Sequence, residues 1–296
     1  MSASMRVSID GEWIDPGKYG DFHQNRFERT ISEIKRLSPA SVLEVGGHPW
    51  IMTAEMIRQG LPLTATVSAE EVSQWPDQLP QTARTMRYEV DGSEHHIKNY
   101  SANIERDWIV SDQPVDCVVA CEMIEHLVRS PHRMLLNCNQ WLNINGRVLL
   151  TTPNGAQFSN PLRTASTSPK FRDSVYKRHN RVFNLAELED LLDVTGFCVE
   201  RAEYWQVYPR AGMSKIYDLM ARIPHRYFEQ KFCRTLFVVA RKIEDRKTAS
   251  RLPQCYAPGD EWDFIDSGFV ESDSIESDSY KSDSYKSDFI DTPAPG

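Results

Sequence analysis

No two of the six cysteines, at positions 117, 121, 138, 198, 233 and 255, are spaced C-x-x-C. That absence removes zinc ribbons and thioredoxin-type redox centres from consideration. Cys117, Cys121, Cys198 and Cys233 fall in or at the ends of apolar runs, which predicts buried, reduced thiols. No eighteen apolar residues run together, and Met1 to Trp13 carries acids but no apolar stretch. Neither a membrane span nor a secretory leader is therefore expected, and the sequence reads as cytoplasmic. G-x-G-x-x-G is also missing, which argues against a dinucleotide-dependent oxidoreductase.

Surplus positive charge is the other shortage. The chain has 42 acids and 34 lysines or arginines; eleven of those acids and three of those bases lie from Arg251 onward, leaving a body balanced at 31 of each. A balanced body offers no extended footprint for nucleic acid. From 244 onward the composition changes to a five-residue repeat, E-S-D-S-I, E-S-D-S-Y, K-S-D-S-Y, K-S-D-F-I. One apolar position per unit cannot offset the entropy of ordering, so 244–296 is expected to be a disordered acidic tail. It reads either as a solubilising tail or as a phosphorylation and partner-docking segment.

What is present is a β-α-β rhythm. Phe27, Ile31 and Ile34 predict an amphipathic helix over 25–37, behind a polar and aromatic stretch read as a flap, so that 1–40 forms a flap and helix. Residues 41–45, 61–67, 115–120, 147–152 and 197–204 are apolar and unalternating, as strands of a parallel sheet covered on both faces should be. A third strand is placed around His96 to Ile104, and the polar stretch from Gln74 resists assignment. Ser130-Pro131 predicts a helix start with Met134, Cys138 and Trp141 as its buried stripe. Asn184 to Glu187 reads as a capping box, with Gly196 as the helix stop. A short helix is predicted over 214–223, stopped by Pro224, and Thr235 to Ala240 forms the last strand of a domain spanning 41–243.

Chemistry concentrates at strand ends. Glu44-Val45-Gly46-Gly47 closes the first strand with an acid and a glycine turn, and Cys121-Glu122-Met123-Ile124-Glu125-His126 follows an apolar run with two carboxylates and an imidazole. A helical turn over the latter would set Glu122 beside Glu125 and His126, at the end of the sheet where open α/β folds hold ligands. In order, V-L-E-V-G-G, V-D-C-V-V-A-C-E-M-I-E-H-L, N-G-R-V-L-L-T-T-P-N and G-F resemble the class I S-adenosylmethionine-dependent methyltransferases over roughly the first 240 residues. They are most similar to the branch with an E-x-x-E-H segment. The turn with "YGDFHQNRF" before it, and the strip Arg178 to Arg181, look like polysaccharide-associated members. His48 and Trp50 stand where the family's later glycines would be.

The resemblance implies a doubly wound, mostly parallel, seven-stranded Rossmann-like sheet with helices on both faces, its last strand antiparallel. It implies S-adenosylmethionine held by Glu44, Gly46, Gly47, His48, Glu105, Cys121 and Glu122. Glu125, His126 and His179 become the catalytic candidates. By likeness to the small-RNA 3′-terminal methyltransferases, Glu122, Glu125, His126 and His179 form a candidate site for Mg or Mn; His126 as a metal-free base is the competing role. The leading function is methyl transfer to oxygen on a small polar or glycan-like acceptor. The acceptor pocket would be built from the flap, the Phe158 to Phe171 loop and the Trp205 to Tyr227 segment. An RNA 2′-O-methyltransferase using a metal and a non-catalytic interaction protein are the alternatives.

Overall fold

The computed structural model describes residues 7–15, 17–68, 82–105, 109, 111–127, 131–157, 181–208 and 219–253. Their elements are β1 (Val7–Ile9), β2 (Glu12–Ile14), α1 (Gly17–Leu37), β3 (Val42–Val45), α2 (Ile51–Arg58), β4 (Leu63–Ser68), β5 (Thr82–Val90), β6 (Ser93–Ser101) and β7 (Val115–Cys121). A 3₁₀ turn at Ile124–His126 follows, then α3 (Pro131–Trp141), β8 (Leu142–Pro153), α4 (Leu185–Val194), β9 (Phe197–Trp205), α5 (Arg226–Phe232) and β10 (Thr235–Lys242). The helix expected over 214–223 falls mostly outside the described residues.

One sheet takes all ten strands in the order β2-β1-β5-β6-β4-β3-β7-β8-β10-β9. The expected seven strands form the block from β6 to β9. Within it β6, β4, β3, β7 and β8 pair in parallel, and β10 runs antiparallel between β8 and β9. The seven-stranded expectation is corrected by three antiparallel strands added at the β6 edge. Their cause is local. Asp91 and Gly92 have φ of 49° and 82°, the left-handed pair of a tight hairpin turn, so β5 folds straight back onto β6. β1 then pairs with β5, and Asp10-Gly11 turns it into β2.

Alternate strand residues feed two cores. Leu43, Val118, Val148 and Val238 face α3 and α4, whereas Val42, Val119, Leu149 and Val239 face α1 and α2. Helices therefore cover both faces, as expected. α1 starts at Gly17, eight residues before the predicted start, so the expected flap is largely helix. α4 begins with the predicted capping box: Glu187 N donates to Asn184 Oδ1 at 3.0 Å, and Asn184 N donates to Glu187 Oε2 at 2.8 Å. Cys117, Cys138 and Cys233 are buried and free, Cys121 is half-buried, and Cys198 departs from expectation by lying exposed, on the edge strand β9. Residues 244–253, assigned by composition to the tail, pack on the body. Ser250 N donates to Val194 O, Asn139 holds Glu244 and Arg246, and Ala249 is buried. Among the described residues no helix is long and apolar enough to cross a membrane.

Candidate functional site

Two strand ends and the first half of α1 meet at the carboxyl edge of the sheet. β3 turns at Gly46, where φ is 79° and a Cβ would stand 2.9 Å from Met123 Sδ. At Gly47 a Cβ would stand 2.7 Å from the Trp50 ring. Gly46 is thus required by backbone hand and Gly47 by space. The imidazole of His48 meets the Trp50 ring edge to face, with centroids 6.2 Å apart. Glu44 lies beneath this turn, buried, and Oε2 accepts from Thr53 Oγ1 at 2.5 Å. Burial pushes its carboxyl up to about 7, against the opposing pull of the Thr53 hydrogen bond and the Arg26 charge.

β7 ends at Cys121, whose thiol burial pushes up to about 11. Glu122 follows with φ of 52°, and its N–H donates to Thr151 O at 2.8 Å. This left-handed residue delays the helical turn to Ile124, so Glu122 does not share a helical face with Glu125 and His126 as the spacing suggests. Glu125 is fully buried; Oε2 accepts from Thr152 Oγ1 at 3.2 Å, and Oε1 has no hydrogen-bond partner. Burial and then the neighbouring Glu122 raise its pKa well above the usual carboxylate value. His126 is the accessible member, 41% exposed, with Nε2 at 4.0 Å from Glu125 Oε1. Glu105 is buried after β6, its N–H donating to Asn103 Oδ1 at 3.0 Å. His179, Arg178 and Asn180 lie outside the described residues, as does the Phe158 to Phe171 loop. Arg181, described, donates its N–H to Glu125 O at 3.2 Å.

The sequence reading missed a cation. Arg26, only 3% exposed, projects from α1 toward Glu122, Tyr208, Cys121 and Tyr19. Burial works against its charge, but that neighbourhood holds its pKa above the ordinary guanidinium value, and its Nε has no hydrogen-bond partner. Glu122 is likewise raised by burial, with Arg26 opposing, and its buried Oε1 is unpartnered. His23, one turn earlier, has Nδ1 3.1 Å from Tyr208 Oη; burial and then Arg26 lower it to about 4. Phe22 stacks on Tyr208 with centroids 5.0 Å apart. The signal was legible: Tyr19, His23, Arg26 and Thr30 follow the same helical spacing as the buried Phe27, Ile31 and Ile34.

Two buried carboxylates under the charge of a buried guanidinium, with an unpartnered atom on Glu122 and on Arg26, suit a zwitterion. Among the described residues no group of three or more His, Cys, Asp or Glu side chains is placed to hold a metal ion. A positive charge acting on Glu122 comes from Arg26.

A family model described as a methyltransferase domain matches residues 22–202. The chain belongs to this methyltransferase-domain family. The match takes in Arg26, the glycine turn and the β7 end together. No curated protein matches the chain. Similar solved structures include a SAM-dependent methyltransferase from Thermotoga maritima, at 14% identity over 77% of this chain and 93% of that one, TM-score 0.46. Another, from Galdieria sulphuraria and described as a sarcosine dimethylglycine methyltransferase, has 11% identity over 75% and 86%, TM-score 0.49. A third, the S-adenosylmethionine-dependent methyltransferase of Mesorhizobium loti, has 13% identity over 68% and 90%, TM-score 0.43.

Proposed function

We propose that this methyltransferase-domain chain is a cytoplasmic S-adenosylmethionine-dependent enzyme of the E-x-x-E-H branch, near its polysaccharide-associated members, acting on oxygen of a small polar or glycan-like acceptor. The observation carrying the reading is the buried Arg26, whose charge acts on both the Glu44 and Glu122 carboxylates, beside a turn that demands glycine at 46 and 47. An amino acid's carboxylate needs a cation and its ammonium an anion, and both would come from groups that now hold unpartnered atoms or a raised carboxyl. Arg26 would take the carboxylate, and Glu44 with Glu122 the ammonium. Gly46, Gly47 and His48 would lie along the chain of the cofactor, Cys121 at the β7 end, and Glu105 toward the adenine. S-adenosylmethionine supplies, when bound, a methyl group carried on a sulfonium.

His126 is the member of the E-x-x-E-H segment that an acceptor can reach, and it would take the acceptor hydroxyl's proton. Glu125, buried and raised well above the usual carboxylate range by burial and the neighbouring Glu122, would orient; His179 is a further candidate for the proton. The test is calorimetric titration with S-adenosylmethionine and S-adenosylhomocysteine. Micromolar binding of both, unchanged by EDTA, is the expected result. Binding of neither would return the chain to the reading of a non-catalytic interaction protein.

A further inference from the structure

The described body pairs its surface arginines with acids. Arg147 and Arg241 share Glu200, Arg29 and Arg201 meet Glu203, and Arg251 meets Asp190. Arg222, Arg226 and Lys231, on and just before α5, break this habit, with no ion-pair partner among the described residues. Aromatic rings lie between them: Tyr227 is 58% exposed, and Phe228 stacks on Phe232 with centroids 6.1 Å apart. Between Leu219 and Arg234 there are four Lys or Arg and one acid, in a body that is otherwise balanced. α5 borders the candidate site, because Asn154, which follows β8, donates to Gln230 O at 2.7 Å and Cys233 O at 2.9 Å.

The complement is written in the same chain. Residues 254–296 hold eleven acids and two lysines, and the repeat 271–290 places Ile275, Tyr280, Tyr285 and Ile290 five residues apart among them. We propose that segment 271–290 docks in cis on the basic, aromatic surface of residues 222–232, acids to Arg222, Arg226 and Lys231, rings and aliphatic side chains to Tyr227 and Phe228. Geometry permits it. The described chain ends at Pro253 beside the C-terminal end of α4, where Leu252 packs on Val194. α4 is about 15 Å long; Phe183, just before its cap residue, pairs with Asn154 and Gly155, and Asn154 touches α5. The seventeen residues 254–270 reach up to about 55 Å when extended. Tethering at that range gives an effective concentration on the order of millimolar, enough for contacts that would be weak between separate molecules.

The experiment uses the full chain. Trypsin cleaves after Lys281 and Lys286, and release of the tail fragments is followed by mass spectrometry. At low salt, cleavage should run at least fivefold slower in the native chain than in the Arg222→Glu/Arg226→Glu/Lys231→Glu variant, and 0.5 M NaCl should erase the difference. Equal rates at low salt overturn the proposal. Protection that grows with protein concentration also overturns it, because the tail would then sit on a second copy. A measurement independent of the variant is carbodiimide coupling in a mixture of unlabelled and ¹⁵N-labelled native chains. Coupling of Lys231 to a 271–290 carboxylate within one label supports docking in cis; coupling only across labels, or none, overturns it.

Discussion

Arg26 occupies a helix position that hydrocarbon would ordinarily fill, and the molecule tolerates it because Glu122 and Glu44 sit within electrostatic reach. Removing one side of such an arrangement leaves a buried charge uncompensated. Arg26→Met should cost about 3 kcal/mol in urea denaturation, and adding Glu122→Gln should return part of the loss. Both variants should lose S-adenosylhomocysteine affinity. Glu44 makes a separate, pH-dependent statement. Its carboxyl titrates near its ordinary 4.5 in the unfolded chain but at about 7 when folded, so the native state holds the extra proton between those values. Its burial therefore lowers stability as pH rises from about 4.5 to 7, by up to about 3 kcal/mol. His23, lowered to about 4, and His132, lowered to about 3, act with opposite sign below 6.5. The difference between native protein and Glu44→Gln, measured from pH 5 to 8, isolates the carboxyl: the variant should gain relative stability as pH rises. At this scale the strand-end motifs were legible because acids and glycines stand out after apolar runs. Arg26 was not singled out because one charge on a helix usually faces water, and only its register with Phe27 and Ile31 says otherwise.

Turn and cap chemistry decided which elements could be read in advance. The α4 cap has its reciprocal pair of hydrogen bonds, and Asn184→Ala should cost about 1 kcal/mol, seen as a lower urea midpoint at unchanged slope. The β5–β6 hairpin was harder, since Arg84, Arg87, Glu89 and Glu94 make the stretch look like loop. Its alternation was nevertheless present: Met86, Tyr88 and Val90 are buried on one face, and Asp91-Gly92 is the turn. Gly92 sits at φ of 82°, so Gly92→Ala should destabilise by about 1 kcal/mol, through backbone strain alone since nothing lies within 4 Å of a Cβ there. The 3₁₀ turn at Ile124–His126 was misread as a longer helical face because a positive φ at Glu122 has no signature in residue type.

Taken as a whole, the two-faced core from β3 onward followed from apolar, unalternating strands. Composition alone placed the body's end ten residues early. Residues 244–253 are polar enough to pass for tail, yet Arg246 N donates to the buried Asn139 at 3.0 Å, and Gln140 Nε2 donates to Arg246 O at 2.9 Å. A chain ending at Ile243 should therefore be about 3 kcal/mol less stable than one ending at Pro253, with a lower Tm by calorimetry, because Asn139 and Val194 lose their partners. The course of α1 has the widest reach. It leaves β2 at one edge of the sheet and meets β9 at the other, where Arg29 donates to Glu203 and Glu33 accepts from Arg201. These partners are 174 and 168 residues apart in the chain. At about 5–20 residues per second, a ribosome makes the far partner roughly 10–35 s after the near one. Through that interval the apolar stripe of α1 has no β9 to close against, so the nascent chain completes its body only late in synthesis, and any holding factor would act on its first forty residues.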